Sequence, residues 1–202
     1  MIDRAPTRYS ATGQALHWLT AILVLIAFVY GPGGTEQRVY ASARDFDRQL
    51  HETLGIAVLG LLALRILWRL VDTRPELPQG ARWMEIASKV VHASLYSLLF
   101  AVPLTAIAGA WLEGHPLTLL GGVLLSPWFS ESHALGAKVA DVHTWLGDTL
   151  VWLAGAHALA GLAHHYVLKD DVLRTMLPRR FARRPRRRAH ANAGRRDRAP
   201  SS

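Results

Sequence analysis

The stretch VHTWLGDTLVWLAGAHALAGLAHHYVL, residues 142–168, decides the fold of this chain. It is long enough to cross a bilayer, since about 20 apolar residues span the hydrocarbon core. It nevertheless carries His143 and His157, and ionisable groups are costly inside a membrane and usually functional there. These histidines are fourteen residues apart, so they leave nearly the same face of one helix with about 21 Å of rise between them. The pattern predicts a transmembrane helix that presents histidines at two depths of the bilayer.

Three further apolar runs precede this stretch. Together the four runs predict an all-α membrane protein, a bundle of four transmembrane helices at about 13–31, 50–71, 85–112 and 138–169. The first run lacks a small-residue cleavage pattern and has His17 near its start, so we expect it to be retained and not cleaved as a signal peptide. Residues 1–178 are therefore expected to form one helical domain.

The basic residues are concentrated near the C-terminus and predict the orientation. Eleven of the 23 lysines and arginines lie from Arg174 onward, against one acidic residue, Asp197, although the whole chain carries only +8. By the positive-inside rule, both termini of this multi-pass protein are expected to face the cytoplasm. Residues 179–202 have few large apolar side chains and are expected to be disordered.

This Arg-rich tail has two interpretations. It either contacts anionic membrane lipid, where each basic side chain contributes about 1 kcal/mol, or it only fixes the topology and has no specific partner. We expect no nucleic-acid partner, because the tail contains no aromatic residue apart from Phe181 near its start.

The predicted topology gives each histidine a depth and sorts four of them into two pairs. His51 and His143 lie near the outer side, and His17 and His157 lie near the inner side. Axial ligation of a haem iron by two histidines from neighbouring helices suits both pairs. Zinc suits them less well, because it prefers four ligands in one tetrahedron. The chain has no cysteine, so covalent haem attachment through C-x-x-C-H is excluded, and we predict two haem b groups with bis-histidine ligation.

A glycine lies one helical turn from each of these four histidines. The four are Gly13, Gly55, Gly147 and Gly161. Glycine weakens a helix by about 1 kcal/mol relative to alanine, so a glycine inside a helix needs a reason. One reason is that a flat porphyrin beside its histidine ligand needs a helix surface without a Cβ. Small residues also serve ordinary helix packing in membranes, so both interpretations of the glycines stay open.

Two further residues are expected near the inner pair. Arg65 lies fourteen residues beyond His51, on the same face and about 21 Å further in. It either pairs with a haem propionate or extends along its helix to the inner headgroups. His92 is level with the inner pair. It is expected to contact a quinone or a haem propionate, and the alternative is that it replaces His17 as ligand.

The other histidines and the outer cations receive weaker assignments. His164 and His165 are expected to have no role or to contact a propionate, and His115, His133 and His190 are expected to be surface histidines. Arg48 and Lys138 either attract an anionic electron donor at the outer side or are ordinary interfacial charges. The apolar loop PLTLLGGVLLSPWF, 116–129, is too short to span the membrane and is expected to cover the outer haem.

The chain resembles the bacterial cytochrome b561 family of four-helix dihaem membrane cytochromes, which are similar to the cytochrome b subunits of Ni-Fe hydrogenase and formate dehydrogenase. The resemblance covers roughly residues 9–178. It rests on LHWL (16–19), LHETLGIAVLGLLALRILWRL (50–70), VHASLYSLLFAVPLTAIAG (91–109), VHTWLGD (142–148) and AGAHALAGLAHHYVLKDDVLRTMLP (154–178). It implies haem ligands at His17, His51, His143 and His157 and carries nothing over to the tail.

The resemblance also implies a function, electron transfer between an outer-side donor and the quinone pool, with ubiquinone as the candidate acceptor. Some members resemble superoxide oxidases, so the chain is expected to be either an oxidoreductase of that kind, with superoxide as donor, or an electron carrier. The alternative is a haem-bearing membrane anchor and electron-relay subunit of a separate dehydrogenase or hydrogenase. A scaffold without cofactor would leave four buried histidines without a ligand role.

Overall fold

The computed structural model describes residues 8–33, 35–72 and 81–177. Its long helices are α1 (Ala11–Val29), α3 (Asp45–Val71), α4 (Arg82–Leu112) and α5 (His133–Ala163). Two short helices, α2 (Glu36–Val39) and α6 (Val172–Thr175), a 3₁₀ turn (Ser42–Arg44) and a π-helical turn (His164–Leu168) complete the helical part. The long helices begin two to five residues before the positions expected from the sequence. The predicted tail, 179–202, lies outside the described residues.

All four long helices are long and apolar enough to cross a membrane. Large apolar side chains cover their outer surfaces, as shown by Leu25, which is 60% exposed, and Trp152, which is 80% exposed. In water such a surface would be unfavourable, whereas lipid tails accept it. The prediction of an all-α, four-helix membrane bundle is confirmed. We call the end that contains the start of α1 the inner end and the opposite end the outer end, following the predicted orientation.

Ser10 ties the inner end of the bundle together. Its hydroxyl oxygen accepts hydrogen bonds from the Gly13 amide (3.1 Å) and the Trp68 indole (3.0 Å) and donates one to Asp72 (2.8 Å). One donor and two acceptors are the full capacity of a hydroxyl. The same residue therefore caps α1 and fixes that cap to the last turn of α3.

The bundle packs mainly as two helix pairs, α1 with α3 and α4 with α5. Small residues allow the second pair to approach closely, because a Cβ at Gly109 would lie 3.3 Å from the Ala140 amide nitrogen. The buried centre consists of Val58, Leu62, Leu99 and Leu150, with two residues from α3 and one each from α4 and α5. This centre separates the outer end of the bundle from the inner end.

A small antiparallel hairpin closes the outer end, and the sequence did not predict it. Strands β1 (Leu117–Thr118) and β2 (Leu124–Leu125) pair within the apolar loop, and Gly121 and Gly122 adopt positive φ angles of 88° and 81° in the turn. The amide of Thr118 donates to Glu52, and that of Leu120 donates to the Thr53 hydroxyl (2.8 Å). Both acceptors lie on α3, so the loop is held against the bundle.

Candidate functional site: two histidine pairs at two depths

The outer pair consists of His51 on α3 and His143 on α5. Their ring centroids are 6.0 Å apart, and their planes cross at 84°. Each Nδ1 lies within hydrogen-bonding distance of a main-chain carbonyl, Ala27 at 2.7 Å for His51 and Val102 at 2.9 Å for His143. A carbonyl oxygen can only accept, so Nδ1 must carry the proton in both rings. Nε2 of each ring is then left with a lone pair for a metal.

The space around this pair fits a haem. Two imidazoles that flank one metal hold their centroids about 6 Å apart, since each metal–nitrogen bond is about 2 Å and each ring adds about 1 Å. A cavity of about 470 Å³ is lined by both histidines and by Gly55 and Gly147. A Cβ at either glycine would meet nothing within 4 Å. The open surface expected beside a flat macrocycle is present at the outer pair.

Gly31 contributes to this site in a way the sequence did not reveal. A Cβ on Gly31 would lie 3.2 Å from Cε1 and 3.3 Å from Nδ1 of His51. Such contacts are tighter than ordinary van der Waals contact. The absence of a side chain therefore allows the His51 ring to lie against the end of α1 and reach the carbonyl of Ala27.

The inner site brings together the predicted pair and one more histidine. His17 on α1 and His157 on α5 have ring centroids 6.4 Å apart, with planes crossing at 78°. His92 on α4 lies closer to His157, at 5.2 Å, and its Nδ1 is 2.6 Å from the Ser88 carbonyl. The separation of about 6 Å expected for two imidazoles on one metal matches His17 with His157 better than His92 with His157.

Arg65 distinguishes the inner pair from the outer one. Its Nη2 lies 3.0 Å from Nδ1 of His17, and its guanidinium carbon lies 5.2 Å from the centre of the Tyr96 ring. Arginine can only donate, so Nδ1 of His17 accepts here, the reverse of the role that Nδ1 plays in His51 and His143. Nε2 of a neutral His17 ring then carries the proton, so ligation of a metal through Nε2 would require this ring to give up its contact with Arg65. The Arg65 guanidinium reaches α1 and α4 within the bundle, which differs from the alternative of extension to the inner headgroups.

The glycine pattern has different causes at the two ends. A Cβ at Gly13 would lie 3.2 Å from both the Asp72 carboxylate and the Ser10 hydroxyl, and one at Gly161 would lie 3.8 Å from Leu173. Neither position faces open space. Of the two interpretations, ordinary helix packing fits the inner pair, where Gly13 and Gly161 pack against protein.

A polar cluster at the outer end was not expected. Nε2 of His115 donates to Glu36 at 2.7 Å, and its ring stacks on Tyr40 with centroids 3.6 Å apart. Burial, together with Glu52 and Glu113, raises the pKa of Tyr40 well above its ordinary value. The His115 side chain is 31% exposed, so it lies at the surface, but it has two specific contacts there. Glu36 and His115 are 79 residues apart, and no periodicity links them in the sequence.

The remaining candidates are peripheral. Nδ1 of His164 lies 2.5 Å from the Asp170 carboxylate, and His133 and Lys138 are exposed in the first turns of α5. Arg48 lines the outer cavity, with two carboxylates as partners. His190 lies outside the described residues.

Four helices are long and apolar enough to span a membrane, and three of them carry paired histidines at two depths. They define the class, a helical membrane protein in which side chains of neighbouring helices could hold a planar cofactor. Comparison with known proteins agrees. Residues 8–179 match the family described as prokaryotic cytochrome b561. Cytochrome b561 homolog 2 of Escherichia coli K12 is 30% identical over 85% of this chain and 92% of its own length.

Two other relatives are similar over nearly their whole length. The probable superoxide oxidase CybB of Yersinia pestis is 32% identical over 86% of this chain and 97% of its own. Cytochrome b562 of Cereibacter sphaeroides is 31% identical over 85% and 96%. The chain belongs to the prokaryotic cytochrome b561 family. It is a membrane electron-transfer protein, and membership of the family implies that it binds haem b.

Proposed function

We propose that this chain is a dihaem b-type cytochrome that transfers electrons from an outer-side donor to the quinone pool of a bacterial inner membrane. The observation that carries the proposal is the spacing of the two pairs, 6.0 Å for His51 with His143 and 6.4 Å for His17 with His157. Haem b, when bound, supplies reversible one-electron chemistry at each depth. The protein's own part is to hold and orient the histidine rings.

At the outer end we propose superoxide as the donor. The support is the similarity to the Yersinia pestis protein named a probable superoxide oxidase. Arg48 is held between Asp45 at 3.0 Å and Glu52 at 3.1 Å, so its charge is largely offset and it is a poor guide for an anion. Lys138 is exposed, which makes it the better candidate of the two for electrostatic attraction of superoxide.

At the inner end we propose that His92 serves the quinone and that His17 serves the iron. His92 is half-buried on α4, and the Ser88 carbonyl holds its Nδ1 at 2.6 Å. Its Nε2 then remains available to a ligand. The 5.2 Å separation from His157 is shorter than the separation of about 6 Å expected for two imidazoles on one metal, whereas it would allow contact with a quinone head group.

The purified protein in liposomes with ubiquinone tests this function. Superoxide should reduce the haems within the mixing time, and ubiquinone should reoxidise them. Lys138→Glu should slow reduction by superoxide and leave reduction by dithionite unchanged, whereas an equal rate for both proteins would remove the steering role of Lys138. Haem reduction that requires a separate dehydrogenase would favour the relay-subunit alternative and contradict superoxide as donor.

A further inference from the structure

The loop between α4 and α5 has two faces of different exposure. Leu117 on β1 is 4% exposed and lines the outer cavity, and Leu125 on β2 lies directly opposite it in the hairpin. Successive residues of a strand point to opposite faces, so the other face carries Leu124, which is 59% exposed. One face of the hairpin therefore covers the cavity, and the other face points away from the bundle.

The face that points away is part of a larger apolar surface. We call this set of exposed side chains the outer apolar surface: Leu120, Val123, Leu124, Trp128 and Phe129. Residues 116–130 contain no charged side chain. Trp128 and Phe129 pack against Trp111 in the last turn of α4, with ring centroids 5.4 and 5.7 Å apart, yet Trp128 is still 84% exposed. A contiguous apolar surface of this kind is unfavourable in water and marks a place of interaction.

The attachment points of the hairpin on α3 give its depth. The amides of Thr118 and Leu120 donate to Glu52 and Thr53. The helix α3 ends at Val71, and about 20 residues of helix cross the hydrocarbon core. Counted back from Val71, the outer boundary of the hydrocarbon falls near Glu52 and Thr53. The hairpin therefore lies beside the bundle at this boundary and not beyond the ends of the helices.

We propose that the outer apolar surface inserts into the outer leaflet of the membrane and fixes the loop that covers the outer cavity. Its aliphatic side chains then contact lipid acyl chains, and the Trp128 indole lies at the level of the head groups, where tryptophan is enriched. A protein that docks from water meets a polar rim, whereas residues 116–130 offer no charge. Lipid already surrounds side chains of similar exposure on the bundle, such as Trp145 at 76%. The proposal does not depend on the number of haems.

The test measures the depth of one side chain by spin labelling. The chain contains no cysteine, so Leu124→Cys can carry the single nitroxide of the full-length protein in liposomes of phosphatidylethanolamine and phosphatidylglycerol. Collision rates with O₂, which concentrates in lipid, and with a water-soluble nickel chelate are measured by EPR. Trp152→Cys is the lipid reference, because this α5 side chain is 80% exposed within a membrane-spanning helix. His133→Cys is the water reference, because His133 begins α5 and its side chain is 65% exposed.

The ratio of O₂ to nickel collision rates at Leu124→Cys should exceed that at His133→Cys several-fold and approach that at Trp152→Cys. A ratio equal to that of His133→Cys would place the surface in water. Low collision rates with both reagents would show that protein covers it, either a second copy of the chain or a partner. Either result would overturn the proposal. If Leu124→Cys does not fold, Val123→Cys replaces it with the same expectation, since Val123 is 54% exposed beside the turn.

Discussion

The outer and inner histidine pairs have similar ring separations but are held by different groups. Main-chain carbonyls of Ala27 and Val102 orient the outer rings, whereas the Arg65 side chain contacts His17 at the inner end. Carbonyls inside helices are fixed by the fold, and a long side chain can adopt several positions. The outer site is therefore sensitive to backbone placement, whereas side chains set the charge at the inner site.

The largest effect is expected at Gly31, where the backbone lies against the His51 ring. Gly31→Ala brings a Cβ to 3.2 Å from the His51 ring and should displace that ring from the Ala27 carbonyl. Loss of a partner that orients a ligand commonly weakens metal affinity about 10–100-fold. Outer-haem retention is measured by haem transfer to apomyoglobin. Gly33→Ala is the matched control, since a Cβ there meets nothing within 4 Å, and equal haem loss from both variants would contradict the argument.

The next effect concerns the close approach of α4 and α5, which positions His143. A Cβ at Gly136 would lie 2.6 Å from Cγ and 3.0 Å from the amide nitrogen of Glu113. Gly136→Ala should therefore overpack the outer end and destabilise the protein by about 1–3 kcal/mol. Thermal unfolding in detergent measures this change. Gly155→Ala, on the same helix with nothing within 4 Å, should show little loss, and a smaller loss at Gly136 than at Gly155 would sink the packing argument.

The third effect should be confined to the inner pair. Arg65→Gln removes a cation 3.0 Å from His17, and removal of a nearby positive charge favours the oxidised iron. The inner-haem midpoint potential should fall by about 59 mV, a tenfold change in the equilibrium, while the outer potential stays constant. Arg69→Gln is the control, because Arg69 also lies over Tyr96, at 5.7 Å. Equal shifts in the two variants, or a shift of both haems, would contradict a specific contact between Arg65 and His17.

The smallest effect is a pH dependence at the outer polar cluster. Burial and Glu36 raise the pKa of Glu113, so the folded chain binds this proton more tightly than the unfolded chain. Stability is then lost as pH rises from the ordinary glutamate range through the raised pKa. Glu113→Gln should have the higher melting temperature at neutral pH, and the difference should vanish in acid. The control is Glu131→Gln, since Glu131 is 66% exposed, and a pH-independent difference at Glu113 would contradict the linkage.

The features that could be predicted from the sequence are those that depend on residue periodicity along a helix. Apolar runs located the four helices, and the fourteen-residue spacing of His143 and His157 placed two rings on one face of α5. The carbonyl partners of the outer rings lie 24 and 41 residues from them, and helix packing alone determines these contacts. The same limit applies to Gly31 and to the contact of His115 with Glu36. The hairpin was unpredicted because its strands are only two residues long and lie within an apolar loop without alternation.

The glycines show where pattern and cause separate. The same spacing marks Gly55 and Gly13, yet a Cβ at Gly55 meets open space and a Cβ at Gly13 meets Asp72 and Ser10. The glycine spacing in the sequence indicates positions where a side chain is absent. The structure shows whether open space or neighbouring protein lies beside each position.

The central claim, two haems held by two separate pairs, is tested most directly by the haem content and spectra of single histidine variants. Wild type should contain two haem b per chain by pyridine haemochrome assay. His17→Ala and His157→Ala should each lose the inner haem and retain the outer one, so these two variants should share one reduced-minus-oxidised spectrum and one midpoint potential. His51→Ala and His143→Ala should each lose the outer haem and retain the inner one. His92→Ala should keep both. Loss of both haems from each variant, or loss of one haem from His92→Ala while His17→Ala keeps two, would contradict the pairing.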